Sequence, residues 1–125
     1  MFKLIATDLD DTLLNDKGVI SEANKEAIRR AEKAGVRVVI ASGRSYASTK
    51  QFINELSLPS LTISLNGAYI QDPSDGLLVI GFPIEKSITE QIMKDIEPFQ
   101  VHTNFYSGER VFCKGPSEGA SFYSQ

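Results

Sequence analysis

The sequence has little cysteine, histidine or tryptophan: one Cys, one His and no Trp among 125 residues. A lone cysteine, Cys113, cannot form an intramolecular disulfide, which excludes the disulfide-stabilised secreted domains. Long hydrophobic runs are also absent, and the longest, residues 77–82, falls far short of the ~20 residues that span a bilayer. The N-terminal MFKLIATDLDD reaches acidic residues before an apolar signal-peptide core forms. We therefore expect a cytoplasmic protein without a membrane segment.

Positive charge is scarce as well. Lys and Arg number 13 against 16 Asp and Glu, which gives a formal net charge of −3, and no basic run is present. Such a chain lacks the electrostatic footprint of a nucleic-acid or membrane binder, so we expect neither partner. Small anionic ligands remain compatible with local sites. Apolar residues make up 42% and charged residues 23%, a balance typical of a domain that buries a core.

The first two thirds of the chain alternates short apolar segments with helical patterns. Strands are predicted at residues 2–6, 36–41 and 61–65, and helices at 22–34 and 45–56. The first segment is short and apolar and the second is nearly continuously apolar, as expected for buried strands. A βαβαβ order of this kind favours a parallel sheet with right-handed crossovers and helices on its faces. The sequence therefore predicts an α/β core over residues 1–82.

A different pattern begins at residue 83. The apolar periodicity predicts a helix over residues 87–98, followed by a hairpin of strands at 101–106 and 110–114. This is the start of an α+β unit over residues 83–114. Residues 115–125 are rich in Gly and Ser without periodicity, so we predict a disordered tail.

Acidic residues follow the first predicted strand directly. Asp8, Asp10, Asp11 and Thr12 lie where open α/β sheets place their ligand crevices. Carboxylates this close repel one another, so the turn favours a cation or hydrogen-bond donors nearby. The plain alternative is a polar turn in which Asp11 caps the backbone.

Small polar residues follow the second and third strands. Ser42 and Gly43 enter the second helix, where free N–H groups and the helix dipole favour an anion such as phosphate. Arg44 either contacts a ligand or pairs with a surface carboxylate. Asn66 and Gly67 either line a ligand pocket or form an ordinary Asn-Gly turn.

Taken together, DLDDT at residues 8–12, ASGR at 41–44 and LNGA at 65–68 resemble the N-terminal half of the haloacid dehalogenase (HAD) superfamily of phosphatases. The chain is most similar to the Cof-type branch, and the resemblance covers about residues 1–114. It implies a Rossmann-like α/β parallel sheet with an inserted α+β cap, both truncated here. It also implies Mg²⁺-dependent hydrolysis of a small phosphorylated metabolite.

The resemblance further implies a role for each motif residue. Asp8 would be the nucleophile that forms an aspartyl-phosphate, and Asp10 would be the general acid and base. The Asp8 carboxylate and the Asp10 main-chain carbonyl would hold Mg²⁺. Ser42 and Gly43 would bind phosphate, and Thr12 would bind phosphate or orient the acidic turn. Leaving-group contact would fall to Arg44, Asn66 and Gly67.

Two motifs of the family are missing from these residues: a phosphate-binding Lys, and a second acidic motif that completes the metal site. Without the strand that carries the second acidic motif, residues 2–6 would form an exposed apolar edge, so we expect self-association. Two alternatives stay open: a catalytically incomplete domain that only binds, and phosphomutase-type transfer. A receiver domain is disfavoured, because Leu65 and Asn66 stand where its accepting Asp belongs.

Overall fold

A computed structural model describes residues 2–108 and 110–114 of the chain. The chain divides between Phe82 and Pro83 into two compact units. The first unit contains β1 (Leu4–Thr7), α1 (Glu22–Lys33), β2 (Arg37–Ile40), α2 (Tyr46–Leu56), β3 (Thr62–Ser64), β4 (Tyr69–Gln71) and β5 (Leu78–Gly81). The second contains α3 (Lys86–Ile96), β6 (Thr103–Ser107) and β7 (Arg110–Lys114).

The first unit is built on parallel strands. β1 pairs with β2 in parallel, and the register runs from Leu4 opposite Arg37 to Thr7 opposite Ile40. A parallel bridge between Ala41 and Ile63 brings β3 alongside β2. β3, β4 and β5 then continue as antiparallel neighbours. The predicted parallel sheet is confirmed, and the carboxyl ends of β1, β2 and β3 meet at one edge.

Two capped helices pack against this sheet, α1 against β2 and α2 against β3. The Ser21 side chain accepts a hydrogen bond from the backbone N–H of Asn24 and so begins α1, as Ser45 does for α2. Lys25 on α1 contacts Glu55 on α2 at 2.7 Å, which ties the helices together. The apolar core lies beneath them and comprises Leu9, Leu13, Leu14, Ile20, Ile28, Val38, Ile40, Tyr46, Phe52, Ile53, Leu56 and Leu58.

The first strand is not buried, so that prediction is wrong. Phe2 is 87% exposed, Leu4 53% and Ile5 44%. Adjacent residues of a strand point to opposite faces, so the exposure of Leu4 and Ile5 leaves both faces of β1 open. Within the described part of the chain, β1 pairs only with β2. The exposed apolar edge expected for a shortened sheet is therefore present.

The second unit is a helix followed by a hairpin. α3 leads into a single helical turn at Glu97–Phe99, and β6 pairs antiparallel with β7 from Thr103 opposite Lys114 to Ser107 opposite Arg110. Both predicted strands are confirmed to within a few residues. In neither unit does a described helix have the length and apolar character needed to cross a membrane. The predicted disordered tail, residues 115–125, lies outside the described residues.

Candidate active site

The site is formed by loops that follow three neighbouring strands. The acidic turn, residues 8–12, comes after β1; the phosphate loop, residues 41–44, comes after β2; and the LNG turn, residues 65–67, comes after β3. Backbone hydrogen bonds hold these strand ends together, from Ala41 N to Thr7 O (2.9 Å) and from Ser42 N to Ile63 O (3.0 Å). The sheet thus brings all three sequence motifs to the same edge.

The acidic turn is anchored by its leucine. Leu9 is fully buried, and its N–H donates to Asp8 Oδ1 at 2.7 Å. The Leu14 N–H closes the turn on the Leu9 carbonyl at 2.8 Å. Asp11 adopts a left-handed conformation, with φ of 55°, which Asp tolerates better than most residues. The turn therefore fixes the backbone through Leu9 while Asp8, Asp10, Asp11 and Thr12 face solvent.

The phosphate loop encloses a buried hydroxyl. Ser42 is only 5% exposed, and its Oγ accepts a hydrogen bond from the Arg44 N–H at 3.3 Å. A hydroxyl that accepts still has its own proton to donate. Ser45 then caps α2 by accepting from the Ser48 N–H at 3.4 Å. Gly43, by contrast, is exposed at the surface of the loop.

The LNG turn presses against the phosphate loop. The N–H groups of Leu65 and Asn66 donate to the carbonyls of Arg44 (3.0 Å) and Ser42 (3.2 Å). A Cβ added to Gly43 would lie 2.9 Å from Asn66 Oδ1, so a larger residue there would require the Asn66 side chain to move. Leu65, Asn66 and Gly67 have φ of 50°, 55° and 93°, and such backbone is strained for leucine. Strain of this kind is concentrated at functional sites.

An ion pair joins the acidic turn to the phosphate loop. Arg44 donates from Nε to Asp10 Oδ2 at 2.8 Å and from Nη2 to Asp10 Oδ1 at 2.6 Å. The hydrogen bonds from Arg44 hold the pKa of Asp10 below its ordinary value. The same bonds raise the pKa of Arg44, and the negative charge of Asp8 also acts to raise it. The guanidinium lies 5.5 Å above the centre of the Phe52 ring, a cation–π distance.

The donors available to a divalent cation are few. Among the residues that the structure describes, no group of three or more Asp, Glu, His or Cys side chains is placed to hold a metal ion. Both carboxylate oxygens of Asp10 are engaged by Arg44, whereas Asp8 uses Oδ1 for the Leu9 N–H. Mg²⁺ commonly takes one or two carboxylates together with waters and substrate phosphate. By donor chemistry, the Asp8 carboxylate and the Asp10 main-chain carbonyl are oxygen ligands of the kind that this set uses.

The structure brings some predicted residues into contact and leaves others apart. Asp10 meets Arg44, and Ser42 and Gly43 meet Asn66. The acidic turn is closed through Leu9 and Leu14, and Thr12 lies exposed beyond it. Gly67 supplies a left-handed backbone position, with open space where a side chain would stand.

Sequence reasoning missed two residues of this site. Phe52, buried on α2, supports the Arg44 side chain, and Leu65 takes the strained backbone position. Arg44 precedes the Ser45 cap of α2, so no helical spacing pointed to its contact with Phe52. Nothing in the sequence pattern pointed to the left-handed leucine.

Comparison with known proteins places this chain in a family. The chain matches the haloacid dehalogenase-like hydrolases over residues 5–125. It is 34% identical over 110 residues to the phosphatase YwpJ of Bacillus subtilis (strain 168), covering 88% of this chain and 38% of that protein. It is 46% identical over 76 residues to the 5-amino-6-(5-phospho-D-ribitylamino)uracil phosphatase YcsE of the same strain, covering 61% and 30%.

A solved structure gives the same result. A haloacid dehalogenase-like hydrolase from B. subtilis superposes with a TM-score of 0.82 at 33% identity, covering 97% of this chain and 41% of that one. The chain therefore belongs to the haloacid dehalogenase-like hydrolase family and has its α/β fold, as the motifs predicted. It spans 30% to 41% of the length of these three relatives.

Proposed function

We propose that the protein is a phosphomonoester hydrolase that acts on a small phosphorylated metabolite through an aspartyl-phosphate at Asp8. The observation that carries this proposal is the convergence of the acidic turn, the phosphate loop and the LNG turn at one sheet edge. Curated relatives named as phosphatases support it. We further propose that the unit beginning at Pro83 is the start of an inserted α+β cap.

In the proposed reaction, the Asp8 carboxylate attacks phosphorus in line with the leaving oxygen. A new bond joins Asp8 to phosphorus, and the bond from phosphorus to the substrate oxygen breaks. Asp10 donates a proton to the departing alkoxide and later accepts one from the water that hydrolyses the aspartyl-phosphate. Ser42 and the Gly43 N–H would hold phosphoryl oxygens during both steps.

Mg²⁺ is part of this proposal. The Asp8 carboxylate and the Asp10 main-chain carbonyl would hold the ion, together with water and substrate phosphate. When bound, it would screen the anionic nucleophile from the phosphate dianion. We propose that any further protein ligands come from the part of the relatives' length that this chain does not span.

Phosphate release from p-nitrophenyl phosphate tests the function. We expect turnover with Mg²⁺, loss of turnover with EDTA, and loss in Asp8→Asn. Asp11→Asn is the matched control, because it makes the same change in the same turn at a residue with no proposed role. Equal activity in Asp8→Asn and in the unmodified chain would refute the assignment of Asp8.

A second candidate is phosphate binding without turnover. Two observations favour it: Arg44 engages both oxygens of Asp10, and the described residues contain no cluster of three metal-binding side chains. Titration with inorganic phosphate in a calorimeter separates the candidates. Binding that weakens in Ser42→Ala, in a chain with no turnover, would favour the binding role.

A further inference from the structure

Neighbouring groups hold both the side chain and the main chain of Arg44. Its guanidinium makes two hydrogen bonds to Asp10 and lies over the face of Phe52, which is 6% exposed. Its main chain is fixed too, since the N–H donates to Ser42 Oγ and the carbonyl accepts from the Leu65 N–H. Every loop of the site therefore contributes to the placement of this one residue.

The geometry is that of a fork. Nε and Nη2 each donate to a different oxygen of Asp10, so the carboxylate cannot rotate without breaking at least one of these hydrogen bonds. A lysine would supply a point charge and leave that rotation open. The Asp10 side chain is half-exposed and lies two residues from another carboxylate. Without the fork it would therefore be free to turn into solvent.

From this geometry we infer that Arg44 is a positioning residue: it holds the Asp10 carboxylate in one orientation, with the Phe52 ring as its platform. The inference rests on the proposed function, in which Asp10 transfers the proton. It differs from the leaving-group contact predicted for Arg44, because the Nε and Nη2 donors that form the fork both face Asp10.

The pairing is tested first without turnover, by NMR of the Arg44 Nε–H in the full 125-residue chain. We expect its exchange with water to be slowed relative to exposed Arg29, and to speed up about tenfold in Asp10→Asn, where the charge-assisted bond is lost. Asp8→Asn should leave the rate within about twofold. Equal exchange in Asp10→Asn and the unmodified chain would overturn the inference.

Kinetics then separate positioning from substrate binding. Arg44→Lys keeps a positive charge beside Asp10 and removes only the fork, so we expect kcat for phenyl phosphate, whose leaving group needs a proton, to fall about tenfold or more with KM nearly unchanged. For p-nitrophenyl phosphate, which has a better leaving group, kcat should be much less sensitive to Arg44→Lys. Arg44→Lys should add little to Asp10→Asn, because both act on the same proton transfer.

Controls distinguish failure of the inference about Arg44 from failure of the proposed function. Arg29→Lys changes another Arg in an ion pair, on the exposed face of α1, and should alter neither kcat nor the Arg44 exchange rate. A rise in KM with kcat unchanged in Arg44→Lys would overturn the inference in favour of substrate contact. An unmodified chain without turnover would count against the proposed function alone, and the exchange measurement would still decide whether Arg44 holds Asp10.

Discussion

Gly43→Ala tests the closeness of the phosphate loop to the LNG turn. The added Cβ would lie 2.9 Å from Asn66 Oδ1 and 3.3 Å from Nδ2, and the first distance is too short for a carbon–oxygen contact. Asn66 cannot simply retreat, because its N–H is bonded to the Ser42 carbonyl. Its amide must therefore rotate away from the loop.

The expected cost follows from the kind of contact. Overpacking a fixed core costs 1–3 kcal/mol, but the obstacle here is the end of a short side chain, so we expect about 1 kcal/mol. For a unit of this size, that corresponds to a fall in Tm of roughly 4–8 °C. Displacement of Asn66 should also weaken any phosphate binding at Ser42.

A double-variant cycle isolates the clash. Asn66→Gly removes the obstructing atoms and suits the left-handed backbone, so Gly43→Ala should cost little in that background. The coupling free energy between positions 43 and 66 should be about 1 kcal/mol. Urea unfolding followed by circular dichroism measures all four chains. Strictly additive costs, or a Gly43→Ala chain as stable as the unmodified one, would refute the described approach of the two loops.

Three further predictions concern a helix cap, the sheet edge and the ion pair. Ser21→Ala should lower the free energy of unfolding by about 1 kcal/mol in urea, since it removes the α1 cap; no change would contradict the capping bond. The chain should self-associate through β1, as measured by light scattering at micromolar concentration. Ile5→Lys should prevent this association, whereas the similarly exposed control Val19→Lys should not. A monomeric unmodified chain would contradict the prediction. Because Arg44 lowers the pKa of Asp10, the stability the pair contributes should be complete above the ordinary carboxyl pKa of 3.8 and should be lost as the pH falls below it. Unfolding of Asp10→Asn beside the unmodified chain across that range checks this, and a difference that grows on acidification would contradict it.

The sequence predicts elements whose causes are local. The cap at Ser21, the helix-forming residues after it and the apolar run of β2 lie next to one another along the chain, so α1 and β2 were predicted to within about one residue at most boundaries. The order of these elements was enough to predict the parallel sheet. The meeting of the motifs follows from that topology alone, because parallel strands end at the same edge.

Features that depend on distant contacts could not be predicted in this way. Burial of β1 was inferred from its apolar residues, but burial depends on neighbours, and within the described chain only β2 lies beside it. The ion pair between Asp10 and Arg44 joins residues 34 positions apart, so the charge of Arg44 alone could not identify Asp10 as its partner. The left-handed Leu65 results from hydrogen bonds to the phosphate loop, which override the local preference of leucine.

The central claim is that Asp8 carries the phosphoryl group. The most direct test is to mix the chain with p-nitrophenyl phosphate and Mg²⁺, quench in acid and reduce with borohydride, which converts an aspartyl-phosphate to homoserine. Peptide masses then locate the modified residue. The account predicts homoserine at position 8 and none in Asp8→Asn. A chain that releases phosphate with position 8 unmodified, or with another aspartate modified, would contradict it.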